Sequence, residues 1–342
     1  MREKTNILKG LAIIGVIAIH LNSNLFNFFR DGTFIKTGLL AFDQIIRFSV
    51  PLFVFLSGFS LSAKYQNQKF ILWDFLKERI SKLIPLYLLW SAIIYLVGKA
   101  DYHLYFVPMI FQLYLLFPLF LLLIKKFPIY FLLTAFCFQL LLLWQFPGQI
   151  FPTDQEQYLF SGNWVFYFIL GIWLAQKTMS FRQQECHSGE CRNLFNRSRV
   201  KHGMTLLVIF VTMIWVITDC FNLLKNNENI LIATRSSKIS VFFYSIFIIL
   251  GSNILVFDKI KNFFKKFLIY VGRYSYLIYL SHTIIIRLIF EPFYNKNTDP
   301  FWLISTFLIF LIGVTFSQMW DKYDPKDPIL ATLLPNEPDE EQ

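Results

Sequence analysis

Charged residues are scarce in this chain, and their scarcity argues against a water-soluble fold. Only 16% of the 342 residues are Asp, Glu, Lys or Arg, whereas about 25% is usual in soluble domains. Hydrophobic residues make up 56%, and phenylalanine alone occurs 41 times. A soluble core could not hide that much apolar surface from water, so we expect lipid to solvate much of it.

Cysteine is also scarce, with four residues, which argues against a disulfide framework. One basic segment holds Cys186, His187, Cys191 and His202, but their spacing matches no familiar zinc pattern, so no metal site is predicted. The net charge of +10 is spread between apolar runs. A surface for nucleic acid needs its basic residues clustered on one polar face, so that partner is excluded.

Long apolar runs recur along the chain, each about the length of a membrane-spanning helix. The alternating pattern of a membrane β-barrel is absent from the sequence. The predicted fold class is therefore all-α, a polytopic transmembrane helical bundle. Ten spans are expected, near residues 7–29, 38–63, 83–98, 104–124, 127–146, 159–175, 204–222, 236–257, 268–290 and 301–319.

The division of basic residues predicts the orientation of these spans. With the N-terminus inside, the cytoplasmic segments hold 22 Lys and Arg and the external segments hold seven. Such an excess is typical of cytoplasmic loops, so both termini are predicted to be cytoplasmic. Residues 1–320 are expected to form one membrane domain with a basic cytoplasmic loop at about 176–203, followed by a short acidic tail at 321–342.

His20 is the leading catalytic candidate, because an ionisable group within a span is costly and marks a functional site. It follows Lys9 by 11 residues, close to three helical turns, so the two share a helix face about 16 Å apart. An imidazole near mid-membrane can take a proton from a hydroxyl group. The alternative is a histidine that only hydrogen-bonds to a neighbouring helix.

Arg79 and Lys82 are i,i+3 neighbours at the predicted cytoplasmic entry of the third span. Two cations on one helix face suit an anion such as a phosphate group. The alternative is a membrane anchor in which both side chains contact lipid head groups.

Two other polar groups interrupt apolar spans and are predicted to line a cavity or the acceptor site. Asp43 and Arg47 are i,i+4 neighbours in the second span, where they are expected to neutralise each other. Ser275, Tyr279 and His282 form one polar stripe on the ninth span, with His282 toward the outer side. A Ser–His nucleophile is disfavoured, because no acidic residue has an obvious place to orient the histidine.

In this order, these features resemble the membrane-bound acyltransferase 3 family, and the resemblance runs from Lys9 to about Trp320. In that family, a basic residue precedes the histidine of the first helix by eleven positions, as Lys9 precedes His20. Other matching segments are the basic pair before Pro85-Leu86-Tyr87, Ser57-Gly58-Phe59, His103-Leu104-Tyr105-Phe106-Val107-Pro108 and Gly272-Arg273-x-Ser275. Ser57-Gly58 also predicts a close approach of two helices.

This chain departs from the family pattern at three positions. Lys9 and Lys82 stand where arginine is commoner, and Tyr105 stands where tryptophan is often found. Lysine keeps the charge but lacks the planar fork of arginine, which puts bidentate phosphate binding at these two positions in doubt.

The resemblance implies an O-acyltransferase of the plasma membrane, the inner membrane of a bacterium. It implies transfer of an acetyl or succinyl group from cytoplasmic acyl-CoA to a hydroxyl of a cell-envelope sugar or polysaccharide, free or lipid-linked. Lys9, Arg79 and Lys82 would bind the donor, and His20 would be the general base, with a covalent acyl-His step as the alternative. Acyl-CoA is a co-substrate, no bound cofactor is expected, and membrane lipids are the other partners.

A transporter or flippase of an envelope saccharide is the competing class, because the same polar midplane residues could line a transport path. The sequence shows no convincing internal repeat, which disfavours a transporter built from inverted halves. Transport without consumption of acyl-CoA would distinguish the two.

Overall fold

A computed structural model describes residues 2–30, 32–65, 70–97, 102–145, 159–188, 199–226, 230–252, 261–294 and 300–323. All regular secondary structure in these residues is helical, which confirms the predicted fold class. The described α-helices are α1 (Arg2–Leu25), α2 (Phe34–Ile46), α3 (Ser49–Tyr65), α4 (Leu72–Leu96), α5 (Phe106–Lys126), α6 (Pro128–Gln145), α7 (Val165–Ser188), α8 (Arg199–Lys225), α9 (Ile230–Thr234), α10 (Ile239–Ser252), α11 (Asn262–Arg273), α12 (Ser275–Tyr294) and α13 (Pro300–Tyr323). Short 3₁₀ turns lie at Phe26–Phe28, Tyr102–Tyr105 and Ser161–Trp164.

Several of these helices can cross a membrane. Within the described residues, six segments are long and apolar enough: Glu3–Leu25, Phe34–Tyr65, Leu72–Leu96, Phe106–Lys126, Met204–Lys225 and Ile232–Ser252. Pro128–Trp144 and Ile304–Gln318 are shorter apolar helices. The chain is therefore a multi-pass membrane protein. The count of ten spans and the cytoplasmic position of both termini stay predictions.

Large apolar side chains on the outside of the bundle agree with a lipid environment. Leu122 is 66% exposed, Tyr130 75% and Leu207 62%, on three different helices. Water would make so broad an apolar surface an aggregation site, whereas lipid tails solvate it. The apolar excess of the sequence is thus found partly on the surface, as the composition predicts.

Two of the predicted spans are each divided by a turn. The second, 38–63, is split into α2 and α3 at Arg47 and Phe48. Pro51 explains this break, because its ring would clash with the carbonyl of Arg47 in a continuous helix and it lacks the N–H that such a helix needs. The ninth, 268–290, is split at Tyr274 between α11 and α12. Gly272, in the last turn of α11, is a weak helix former and favours an end there.

The segment predicted as a basic loop is partly helical. α7 continues to Ser188 and α8 begins at Arg199. Residues 189–198 of the predicted loop, with Cys191, and residues 324–342 of the predicted tail lie outside the described residues.

Glycine lets two pairs of helices pack with their backbones in contact. A Cβ atom at Gly272 of α11 would meet the backbone of Asn6 and Gly10 on α1. A Cβ atom at Gly58 of α3 would meet the carbonyl oxygen of Phe168 on α7, which confirms the close approach predicted for Ser57-Gly58. Because α1 also packs against α2, α3 and α12, the helix that carries Lys9 and His20 contacts four other helices of the bundle.

Aromatic packing fixes α4 against its neighbours. The ring of Phe75 on α4 lies 5.5 Å from those of Tyr65 on α3 and Phe117 on α5. Phe117 in turn lies 6.2 Å from Phe168 on α7. Such ring pairs add to the gain from burying apolar area. They set the register of α4 against the end of α3, where charged side chains of the two helices meet.

Candidate active site

Three basic side chains converge on one carboxylate where α3 ends and α4 begins. The Oε1 atom of Glu78 accepts from Lys64 Nζ at 2.6 Å, Arg79 Nη2 at 2.8 Å and Lys82 Nζ at 3.2 Å. Tyr65 donates its hydroxyl to Oε2 at 2.9 Å. We call these five residues the Glu78 cluster. The charged side chains are only 12–20% exposed, so their charges interact more strongly than on an open surface.

Lys9 of α1 interacts electrostatically with this cluster. Its side chain is partly buried, and its charge lies close enough to that of Arg79 for the two to repel each other. The three residues predicted for the donor site, Lys9, Arg79 and Lys82, are thus brought to one region from two helices.

Arg79 and Lys82 lie within a helix that begins before the predicted third span. The third predicted span, 83–98, is the second part of a longer helix, because α4 begins at Leu72 and already contains both residues. The predicted span begins after the last charged residue, whereas the helix itself begins eleven residues earlier, at Leu72. Arg79 is 12% and Lys82 19% exposed, so neither reaches outward as a lipid-head-group anchor does. Their burial favours a site inside the bundle.

His20 of α1 and His282 of α12 face each other, with ring centroids 5.0 Å apart and ring planes tilted by 59°. His282 is buried, 2% exposed, whereas His20 is partly exposed. The predicted position of His282, toward the outer side of the membrane, stays a prediction, and the sequence does not anticipate the contact with His20. Gly10 meets Gly272 where α1 and α11 cross, and each histidine follows its glycine by ten residues on the parallel helices α1 and α12.

The hydrogen bond of His282 defines its proton position. Its Nδ1 atom lies 2.8 Å from the carbonyl oxygen of Tyr279, which can only accept. Nδ1 therefore carries the hydrogen in this contact, and the Nε2 atom of a neutral ring holds a lone pair. The histidine pair thus combines one ring held by the backbone with one ring that is accessible.

Tyrosine side chains pack against both groups of residues. The ring of Tyr279 lies 6.1 Å from that of His282. The ring centroid of Tyr114 lies 6.0 Å from the guanidinium of Arg79. Tyr276 of α12 donates its hydroxyl to the carbonyl oxygen of Leu83 on α4 at 2.8 Å. This hydrogen bond ties the helix that carries His282 to the helix that carries Arg79 and Lys82.

A family model with the description "Acyltransferase domain" matches residues 3–318, which include the Glu78 cluster and the histidine pair. The chain belongs to the acyltransferase 3 family. It is accordingly a membrane acyltransferase. No curated protein and no solved structure gives a significant match.

The polar stripe predicted on the ninth span of this acyltransferase lies on α12. Ser275, Tyr279 and His282 are all buried. Ser275 precedes His282 by seven residues, about 10 Å along the helix axis. That separation is too long for a hydrogen bond, so these two side chains do not form a nucleophile and its base.

Asp43 and Arg47 of the acyltransferase pair with each other, as predicted. Their Nη2 and Oδ2 atoms are 2.7 Å apart, and Gln44 donates to the same oxygen at 3.0 Å. Lys238 extends this network, because its Nζ donates to Gln44 at 3.0 Å and lies 3.2 Å from Asp219 of α8. A role for Asp43 and Arg47 at the acceptor site stays a prediction.

Sequence reasoning missed Lys64, Glu78, Tyr114 and Tyr276 in this acyltransferase. Lys64 follows the predicted second span and adds to the basic residues of a predicted cytoplasmic segment. Glu78 did have a local signal, because it is an acidic residue directly before Arg79 and four positions before Lys82. The contacts of Tyr114 and Tyr276 depend on the packing of three helices and left no such signal.

Proposed function

We propose that this acyltransferase moves an acyl group, acetyl or succinyl, from cytoplasmic acyl-CoA to a hydroxyl of a cell-envelope sugar or polysaccharide. The observation that carries the proposal is the group of basic residues around Glu78, whose helix α4 is tied to the histidine-bearing helix α12 by the hydrogen bond from Tyr276 to Leu83. It supports a donor that is anionic at one end and reactive at the other, as acyl-CoA is.

The basic residues provide the charge that such a donor requires. Coenzyme A carries a diphosphate and a phosphomonoester, so it needs several cations close together. Arg79 offers a planar guanidinium that can bind two phosphate oxygens, and Lys9 and Lys82 add point charges. The surplus of positive charge in a partly buried region supports the binding of a polyanion there.

The distance between the two ends also supports this donor. Lys9 and His20 lie 11 residues apart on α1, which is about 16 Å along the helix. In an extended coenzyme A molecule, the pantetheine arm separates the diphosphate from the thioester by a length of that order. The phosphates can therefore lie near Lys9 while the thioester reaches His20.

The chemistry follows from the imidazole of His20. The ring takes the proton of the acceptor hydroxyl, and the hydroxyl oxygen attacks the thioester carbonyl. A C–O bond forms and the C–S bond breaks. The imidazolium then returns its proton to the sulfur of coenzyme A, so the enzyme ends unchanged. In the alternative route His20 itself carries the acyl group between the two substrates.

Purified protein in lipid nanodiscs tests the proposal. It is supplied with radiolabelled acetyl-CoA or succinyl-CoA and with an extract of envelope glycans, and the glycans are then separated and counted. We expect label on glycan hydroxyls, removed by mild base as an ester is. Passage of saccharide across proteoliposomes with no consumption of acyl-CoA would instead make the protein a transporter.

A further inference from the structure

The Glu78 cluster has an unusual balance of charge. One carboxylate faces Lys64, Arg79 and Lys82, and the charge of Lys9 on α1 also repels that of Arg79. These groups therefore carry a surplus of positive charge. Water screens their mutual repulsion only in part, because the paired side chains are 12–20% exposed.

The coordination of Glu78 is equally uneven. Its Oε1 atom accepts from three charged donors, although a carboxylate oxygen offers about two lone-pair sites. Oε2 accepts from the neutral hydroxyl of Tyr65. The donors therefore share one oxygen, and each can gain a better partner from an anion with more oxygen atoms.

Arg79 supplies a second, independent sign of a ligand. Its Nε atom is buried and has no hydrogen-bond partner among the described residues. A guanidinium donor left unsatisfied inside a protein costs free energy. A phosphate that takes the Nε–H as well as an Nη–H satisfies this donor with two parallel hydrogen bonds.

We propose that Glu78 is a built-in counter-ion of the donor site, and that Lys64 is a further ligand of the donor phosphates. Glu78 holds Lys64, Arg79 and Lys82 together before the donor binds. The phosphate oxygens then take over these cations, and Glu78 takes them back when coenzyme A leaves. The carboxylate therefore lowers the affinity for the anion and speeds its release.

This inference rests on the proposed function for its ligand, and binding measurements separate the two. Adenosine 3′,5′-bisphosphate carries phosphates but no thioester, so its binding requires no acyl transfer. Pantetheine is the uncharged control. If acyl transfer fails but the bisphosphate binds as described below, the proposed function is wrong and the anion site stands.

The decisive variant is Glu78→Gln, which keeps the side chain's shape and one acceptor oxygen but removes its charge. We expect its Kd for adenosine 3′,5′-bisphosphate to fall about tenfold, since close charge pairs are worth at least that much. Lys64→Met, which keeps the length of the side chain without its charge, should raise the Kd about tenfold. Lys126→Met is the matched control, because this exposed lysine lies over the ring of Phe127 at the end of α5.

Titration calorimetry in nanodiscs at low and high salt measures all three variants. The effects on the bisphosphate should shrink at high salt, and pantetheine should bind all the proteins equally. An unchanged or higher Kd in Glu78→Gln would show that Glu78 does not compete with the ligand. An unchanged Kd in Lys64→Met would remove Lys64 from the site. If Glu78→Gln does not fold, Lys64→Met still tests the cluster as an anion site, and Glu78→Asp, with a retracted carboxylate, should bind the bisphosphate more tightly than wild type.

Discussion

Gly272 of α11 packs directly against Gly10 of α1, with no room for a side chain between the two helices. Ten residues beyond this contact, the parallel helices α1 and α12 bring His20 and His282 together. The backbone contact at the crossing therefore sets the register of the histidine pair, and its loss should affect both the fold and the site.

We predict that Gly272→Ala destabilises the protein by about 1–3 kcal/mol, the usual cost of forcing an extra carbon into a packed interior. The added Cβ would meet the carbonyl oxygen of Asn6, a backbone atom that cannot turn aside. Gly38→Ala is the control, because a Cβ at this position on α2 has nothing within 4 Å. Thermal unfolding in detergent measures both, and an equal melting temperature for the two variants would contradict the prediction.

We predict that Arg79→Ala and Lys82→Ala raise the KM for acyl-CoA by about ten- to a hundredfold, the range expected for lost hydrogen bonds between charged groups. The KM for the acceptor should stay unchanged, because both side chains lie at the Glu78 cluster and not beside the histidines. Steady-state kinetics with each substrate varied in turn gives both constants. A change confined to the acceptor would remove the phosphates from this cluster.

We predict that both termini are cytoplasmic. In the ten-span arrangement with the N-terminus inside, basic residues are concentrated in the cytoplasmic segments. A reporter fused after Gly32 should therefore lie outside, and one fused after Lys126 should lie inside. Alkaline phosphatase, active only outside, and a fluorescent protein that folds only inside measure the two positions. Fusions that land on the same side would remove this orientation, and with it the cytoplasmic donor site.

Features set by one helix could be predicted from the sequence. The rise and turn of an α-helix fix the separation of Lys9 and His20 along α1. The same geometry makes Asp43 and Arg47 neighbours on α2, so they pair. The close approach at Gly58 followed from residue size alone. The break between α2 and α3 could also have been found, because Pro51 forbids a straight helix through Arg47.

Which polar side chains meet across two helices could not be predicted in this way. Lys64 contacts Glu78 because aromatic packing holds α3 against α4. In a count of basic residues for membrane orientation, Lys64 is only one more cytoplasmic cation, and its partner cannot be inferred. His282 joins His20 because the glycine contact sets the register of α1 against α11. The hydropathy pattern shows which face of a helix is apolar. It does not show how far one helix is displaced along its axis relative to the helix it packs against.

We predict that His282→Ala lowers kcat by about 10- to 100-fold, since its ring packs against that of His20 and a small displacement of a catalytic group can cost that much. The KM values should change little, because His282 is buried. His282→Gln places an acceptor oxygen near the position of Nε2 and should restore part of the activity. Equal losses in both variants would show that the ring itself, and not an acceptor at the position of Nε2, holds His20 in place, and an unchanged kcat in His282→Ala would contradict the prediction.

We predict that His20→Ala lowers acyl transfer by at least about 10²- to 10⁴-fold, the usual worth of a general base. The fold should survive, because the ring is partly exposed and leaves no large cavity. Asn24→Ala is the matched control: it removes a side chain one turn further along the same face of α1, whose amide donates to the His20 carbonyl at 2.8 Å, and should transfer acyl groups normally. Labelled transfer by purified protein is measured beside size-exclusion profiles, so lost chemistry and lost folding are told apart. Near-normal activity in His20→Ala would show that His20 is not the general base. Aggregation of the variant would show that His20 is needed for folding. If only acyl transfer is lost, this imidazole takes part in the chemical step, as the base or as the carrier of the acyl group, since the size-exclusion profile shows that the bundle remains intact.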